Sequence, residues 1–105
     1  HIVTGHVDAV GQIIAITPEG GSKRFTFRMP ASIAPYVAPK GSICLNGVSL
    51  TVNEVTDHSQ GHDFTVNIIP HTAEWTTFDT AQPGDEVNIE IDVLARYLFR
   101  MRQLA

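Results

Sequence analysis

Ile43-Cys44-Leu45-Asn46-Gly47-Val48-Ser49-Leu50-Thr51-Val52 holds two apolar-rich runs on either side of Asn46-Gly47. A two-residue hairpin loop needs positive φ at both central positions, which Asn and Gly adopt most readily. The stretch therefore predicts a tight β-hairpin. In its second arm Val48, Leu50 and Val52 share one face of a strand, while Ser49, Thr51 and Asn53 share the other. Two hydroxyls and an amide thus project side by side. Pattern alone reads this as an ordinary outward polar face.

The same period of two recurs along the chain. Phe25, Phe27 and Met29 alternate with Arg24, Thr26 and Arg28, and similar runs are Phe64, Val66, Ile68 and Val87, Ile89, Ile91. Residues 7–16 are rich in β-branched side chains and interrupted by Gly11, which predicts a bulge or a close backbone approach. Turn signals separate the runs: Pro18-Glu19-Gly20-Gly21, Ser59-Gln60-Gly61 and Gln82-Pro83-Gly84-Asp85. The reading is about six strands, spaced as in a small closed barrel or sandwich. Short helical turns are expected near residues 31–37 and 71–75, the first kept short by Pro30, Pro35 and Pro39.

The period then changes. Leu94, Tyr97, Leu98 and Met101 fall at i, i+3, i+4 and i+7, with Arg96, Arg100 and Gln103 off that stripe. Asp92 precedes the run and is a good N-cap, because its carboxylate accepts the unpaired N–H groups of a first turn. A helix is expected from about Val93 to the end of the chain. The organisation predicted is one domain: a β-barrel or sandwich over residues 1–92 and a helical association element over residues 93–105.

Composition narrows the function classes. The chain has 105 residues, 43% hydrophobic and 17% charged, which suits a folded core and not a disordered tail. Seven Lys+Arg against eleven Asp+Glu leave a net charge of -4, which argues against a general nucleic-acid binder. Cys44 is the one cysteine, so neither an internal disulfide nor a cysteine zinc cage is available. No apolar run approaches the ~18–20 residues of a membrane span, and no signal-peptide pattern is seen. A soluble, cytoplasmic domain is the expectation.

Five histidines raise a metal-site reading. His58 and His62 are four apart, but they flank a turn with no helix to hold them on one face, and His1, His6 and His71 are scattered. No metal site is expected. Ser49, His6 and Asp92 supply the residue types of a hydrolase triad, but nothing resembles a nucleophile elbow. The run Ile68-Ile69-Pro70-His71-Thr72 is more informative. Pro70 cannot donate to a ladder, so pairing stops there and backbone groups become available to other partners.

Gly5-His6-Val7, Asn46-Gly47-Val48-Ser49-Leu50-Thr51-Val52, Ile69-Pro70-His71-Thr72, Thr76-Thr77 and Gly84-Asp85-Glu86-Val87-Asn88-Ile89-Glu90-Ile91-Asp92 together resemble the riboflavin synthase family. Family chains hold two similar barrels in tandem. The Thr4-Gly5-His6-Val7 opening and the terminal helix are similar to the second, C-terminal barrel. The resemblance implies an all-β, six-stranded antiparallel Greek-key barrel with a C-terminal α-helix. It implies dismutation of two 6,7-dimethyl-8-ribityllumazine molecules, one passing a four-carbon unit to the other, to riboflavin and 5-amino-6-ribitylamino-uracil. No metal or redox cofactor is implied. Each barrel would hold one lumazine, with the site lying between the N-terminal barrel of one subunit and the C-terminal barrel of its neighbour in a trimer.

Carried over by motif, the ligand shell would be Gly5, His6, Val7, Lys40, Ser49, Leu50, Thr51, Ile68, Ile69, Pro70, His71, Thr72 and Ala73. Backbone groups at the Pro70 strand end would read the edge of the flat ring, while Ile69 and Val7 cover its face. Ser49 and Thr51 would bond ribityl hydroxyls or ring oxygens. His6 is the candidate proton shuttle for the acidic methyl group, and Lys40 would supply positive charge to an anionic ring. Asp92 carries two readings, helix cap and catalytic neighbour, the second implied by the resemblance alone. The family's cysteine belongs to the other barrel, and Ser49 holds the matching position here. Cys44 reads as a small apolar barrel residue and not a nucleophile. His71 stands where some relatives carry Glu. Two rival readings share the fold: a flavin- or lumazine-binding antenna protein without chemistry, and a trimerisation domain. The array of Lys40, Ser49, Thr51 and His6 favours the enzyme. Partners expected are lumazine, riboflavin, an N-terminal barrel and further copies of the chain, as a trimer or a dimer.

Overall fold

The computed structural model describes residues 4–74 and 76–104. His1, Trp75 and Ala105 lie outside them. Seven strands are present: β1 (Ala9–Glu19), β2 (Ser22–Met29), β3 (Ser42–Leu45), β4 (Val48–Thr51), β5 (Glu54–His58), β6 (Gly61–Ile68) and β7 (Glu86–Ile91). Two helices, α1 (Pro70–Glu74) and α2 (Val93–Leu104), and 3-10 turns at Ala34–Tyr36 and Thr77–Asp79 complete the chain. The short helical turns thus fall close to their expected places.

The period-2 runs form their strands because each buries one face. Phe25, Phe27 and Met29 point inward, as do Phe64, Val66 and Ile68, while Arg24, Thr26 and Arg28 point away. Phe27 sits directly opposite Phe64, their rings stacked 5.2 Å apart, and Phe78 meets Phe25 edge-on at 5.6 Å. Such contacts add to the burial of the rings themselves. Asn46 and Gly47 adopt φ of 49° and 82°, so the β3–β4 turn has the geometry its sequence predicts. Gly11 marks a close approach: a Cβ there would lie 2.7 Å from Ile89 Cδ1 and 2.8 Å from the Arg28 carbonyl oxygen. The irregularity in β1 comes further on, between Ile13 and Ala15.

All ladders are antiparallel, in the order β4-β3-β7-β1-β2-β6-β5. Two expectations are corrected here: the strands number seven and not six, and the sheet is not closed. β5 is the extra strand. It follows β4 after only Val52 and Asn53, yet β4 and β5 occupy opposite ends of the ladder order. Thr51 and Glu54 are three residue steps apart and span at most ~11 Å, so the ends of the sheet must meet. The sheet is rolled into an open barrel whose seam is that two-residue corner. With β4 and β5 taken as one bent strand, β3, β4–β5 and β6 form a meander and β7 returns beside β3, which is the Greek-key order.

Candidate functional site

β3 pairs with β4 on one side and β7 on the other, with Cys44 opposite both Ser49 and Glu90. Ile43, Leu45, Ile89 and Ile91 belong to the core, so this row faces the other way. Ser42 opposite Thr51 forms a second row, and Asp92 follows β7 on the side of Glu90. Ser49 and Thr51 are exposed and Leu50 is half-buried against the core. Cys44 and Glu90, by contrast, are only 1% and 6% exposed although they lie outside the core cluster.

The cover is the segment Thr4-Gly5-His6-Val7-Asp8. The Thr4 amide donates to Glu90 Oε2 at 2.7 Å, its hydroxyl to the same oxygen at 3.1 Å, and the Gly5 amide to Glu90 Oε1 at 3.0 Å. At the other end the Asp8 amide donates to the Ile89 carbonyl at 2.8 Å. Asp8 in turn accepts from the Ile91 amide at 2.8 Å and from Arg96 Nη2 at 2.6 Å. His6 and Val7 stand exposed between these ties. Beneath lies a cavity of about 160 Å³ lined in part by Val7, Cys44, Gly47 and Glu90. Ligand pockets run from about 300 Å³ upward, so this one takes a few waters and no heterocycle. Burial, with Glu90 alongside, pushes the Cys44 thiol up from its ordinary pKa. Cys44 is therefore small, buried and unreactive, as expected, though it lies under this strap and not among the core side chains.

Among the described residues, β4 has ladder bonds only to β3. Its other edge faces the end of β6 across the seam, where the Asn53 amide donates to the Thr65 carbonyl at 2.8 Å and Asn53 Nδ2 to Asn67 Oδ1. β6 stops at Ile68 and Pro70 opens α1, as the proline predicts. Ile68 is buried, Ile69, Pro70 and His71 are exposed, and Thr72 and Ala73 are half-buried. Ile68, Pro70 and Ala73 line a cavity of about 370 Å³ together with Phe25, Phe78 and the β1–β2 turn. Lys40 lies at the foot of β4, where its amide donates to the Val52 carbonyl at 2.8 Å. It holds φ of 68°, a region that costs an L-residue about 1 kcal/mol and collects at functional positions.

Apart from Lys40 at the foot of β4 and Leu50, which packs against the core, the sequence-predicted residues thus fall in two groups. Gly5, His6, Val7, Ser49, Thr51 and Asp92 belong to the outer face of β4-β3-β7, and Ile68 to Ala73 lie across the seam. Asp92 caps α2, its Oδ1 accepting from the Leu94 amide at 3.2 Å. Glu90 and Asp8, which hold the strap, were not singled out from sequence, because a carboxylate among alternating apolar residues reads as an ordinary outward position. His58 and His62 bond Asp63 and Asp57 at 2.8 and 2.6 Å on the β5–β6 hairpin.

A rolled antiparallel sheet whose seam, among the described residues, lies beside a polar strand face defines a small β-barrel domain. The chain belongs to the lumazine binding domain family, whose profile matches residues 4–92. It is 48% identical to the riboflavin synthase of Brucella abortus over 98% of its own length and 49% of that protein's. The riboflavin synthase of Saccharomyces cerevisiae is 39% identical, over 93% of this chain and 42% of the relative. The chain therefore spans about half the length of these curated relatives. Among solved structures, LumP complexed with riboflavin matches with a TM-score of 0.78 at 26% identity, over 89% of this chain and 48% of that one. LumP complexed with 6,7-dimethyl-8-(1'-D-ribityl) lumazine matches with a TM-score of 0.76 over 88% of this chain and 49% of that one.

Proposed function

We propose that this chain is the C-terminal lumazine-binding barrel of a cytoplasmic riboflavin synthase and takes one 6,7-dimethyl-8-ribityllumazine or riboflavin. The observation that carries the reading is the edge of β4: Ser49 and Thr51 are exposed on a strand that, among the described residues, is paired on one side only, with the end of β6 that leads into Pro70 across from it. A flat heterocycle with polar edges suits a slot of that kind, since backbone groups bond its rim while Ile69 and Val7 cover it. In the reaction, His6 takes and returns the proton of the acidic ring methyl, and Lys40 offsets the negative charge left on the ring. Asp92, besides capping α2, shares the Thr51 side of the face. The second lumazine is presented by an N-terminal barrel, which accepts or donates the four-carbon unit. Copies of the chain associate through α2 as a trimer or a dimer.

The experiment is a titration followed by reconstitution. Riboflavin or the lumazine should quench on binding the isolated chain, and Ser49→Ala and Thr51→Val should each weaken binding by about 0.5–1.5 kcal/mol with unchanged melting. Turnover by the chain alone should be poor or nil, and a matching N-terminal barrel should restore riboflavin formation, read by absorbance. Undiminished binding by both variants would move the site elsewhere. Tight binding without restored turnover would instead favour an antenna-type binder without chemistry.

A further inference from the structure

We propose that Glu90 is a positioning residue, whose buried carboxylate sets where His6 and Val7 stand over the ligand face; the inference rests on the function proposed above. A carboxylate this deeply buried is costly unless donors surround it. Glu90 has three, at 2.7, 3.1 and 3.0 Å, and all come from Thr4 and Gly5, which are far from it in sequence. Bonds to a charged acceptor are the strong ones, and two successive amides on two oxygens of one carboxylate fix a single register of the strap.

Asp8 supplies the second tie. It grips the Ile91 amide and Arg96, and the Arg96 guanidinium lies 5.2 Å from the centre of the Tyr36 ring, so this end is anchored to α2 as well as β7. Only His6 and Val7 bridge the two ties, and neither has a place in the core. The His6 amide donates to Thr4 Oγ1 at 3.3 Å, and that hydroxyl is itself bonded to Glu90. Among the described residues, the side-chain hydrogen bonds of Glu90 all go to the strap.

The test compares wild type, Glu90→Gln and, as a control on the same strand, the exposed Glu86→Gln. Glutamine keeps the shape but turns one acceptor into a donor facing an amide. Amide exchange at Gly5 should accelerate in Glu90→Gln while Ile89 stays protected, and riboflavin affinity should fall about tenfold. Glu86→Gln should match wild type in both. In a His6→Ala, Val7→Ala background, Glu90→Gln should change affinity no further, a coupling that a merely stabilising residue would not show. If Glu90→Gln does not fold, Thr4→Pro removes the shortest donor from an exposed residue and should reproduce the affinity loss. Unchanged Gly5 exchange would overturn the tie. Freed Gly5 with unchanged affinity, or an undiminished loss in the double-alanine background, would overturn the positioning role. A wild-type chain that binds neither riboflavin nor the lumazine would overturn the functional reading instead, with Gly5 exchange still deciding the tie.

Discussion

Asp63 on β6 is an ion-pair centre whose strength depends on pH. Arg28 Nε donates to its Oδ1 at 2.9 Å, Arg28 Nη2 to its Oδ2 at 3.2 Å, and His58 Nε2 lies 2.8 Å from Oδ2. The Arg28 hydrogen bonds hold the Asp63 pKa below the usual carboxylate range against the opposing effect of burial, with His58 helping. A carboxyl that ionises more easily folded than unfolded stabilises the fold fully above its unfolded pKa of about 3.9. That contribution is lost as pH falls through the lower, folded value. Asp63→Asn should therefore melt below wild type at pH 7, and the gap should close as the pH is lowered below about 4; thermal melts along a pH series give the answer. None of this was legible in the sequence, where Arg28 and Asp63 are single outward residues on strands whose register was unknown. Ser49 and Thr51 were legible, because alternation alone assigns them a face. Glu90 was not: alternation points it outward correctly, but only the fold shows that Thr4 and Gly5 return to cover it.

Strand by strand, the readable parts are those with one buried face. β2, β6 and β7 carry every second residue into the core, and the hairpin at Asn46-Gly47 follows from backbone preference alone. β5 escaped because Glu54-Val55-Thr56-Asp57-His58 buries none of its side chains fully; Val55 is half-buried and the rest are exposed. Its pairing comes from β6, and hydrophobic period reports burial and not pairing. β1 depends on the absent side chain of Gly11. Gly11→Ala would press a methyl against Ile89 Cδ1 and the Arg28 carbonyl, and the latter, being backbone in β2, yields little. A loss of roughly 1–3 kcal/mol is expected from such overpacking, measurable as a lower urea midpoint. The terminal helix was legible in extent and cap but not in orientation. Ala95 and Phe99 are half-buried, Phe99 meeting Tyr36 edge-on at 5.0 Å, while the Leu94, Tyr97, Leu98, Met101 stripe faces solvent.

As a whole molecule the chain is compact apart from that stripe. Leu94, Tyr97, Leu98, Met101 and Leu104 are 63–70% exposed, which leaves the helix's main apolar face uncovered by its own barrel. An isolated helix of three turns is marginal in water, and contiguous apolar patches gather partners. The native chain should sediment as an oligomer at micromolar concentration, and Leu98→Glu should shift it to monomer with unchanged melting. A native monomer, or an oligomer indifferent to the substitution, would move association to the barrel face. The pairing of β1 with β7 has a different consequence, one that begins at the ribosome. Among the seven strands described, the first to be made lies beside the last, with Ala9 opposite Ile89 and Gln12 opposite Glu86. At roughly 5–20 residues per second, β1 must wait several seconds for its neighbour to be made. Until then it has only β2 as a partner, and the Thr4–Gly5 strap has no Glu90 to bind. The nascent domain therefore completes its barrel after β7 has left the exit tunnel, and the strap closes over the outer face of β3 and β7 only then.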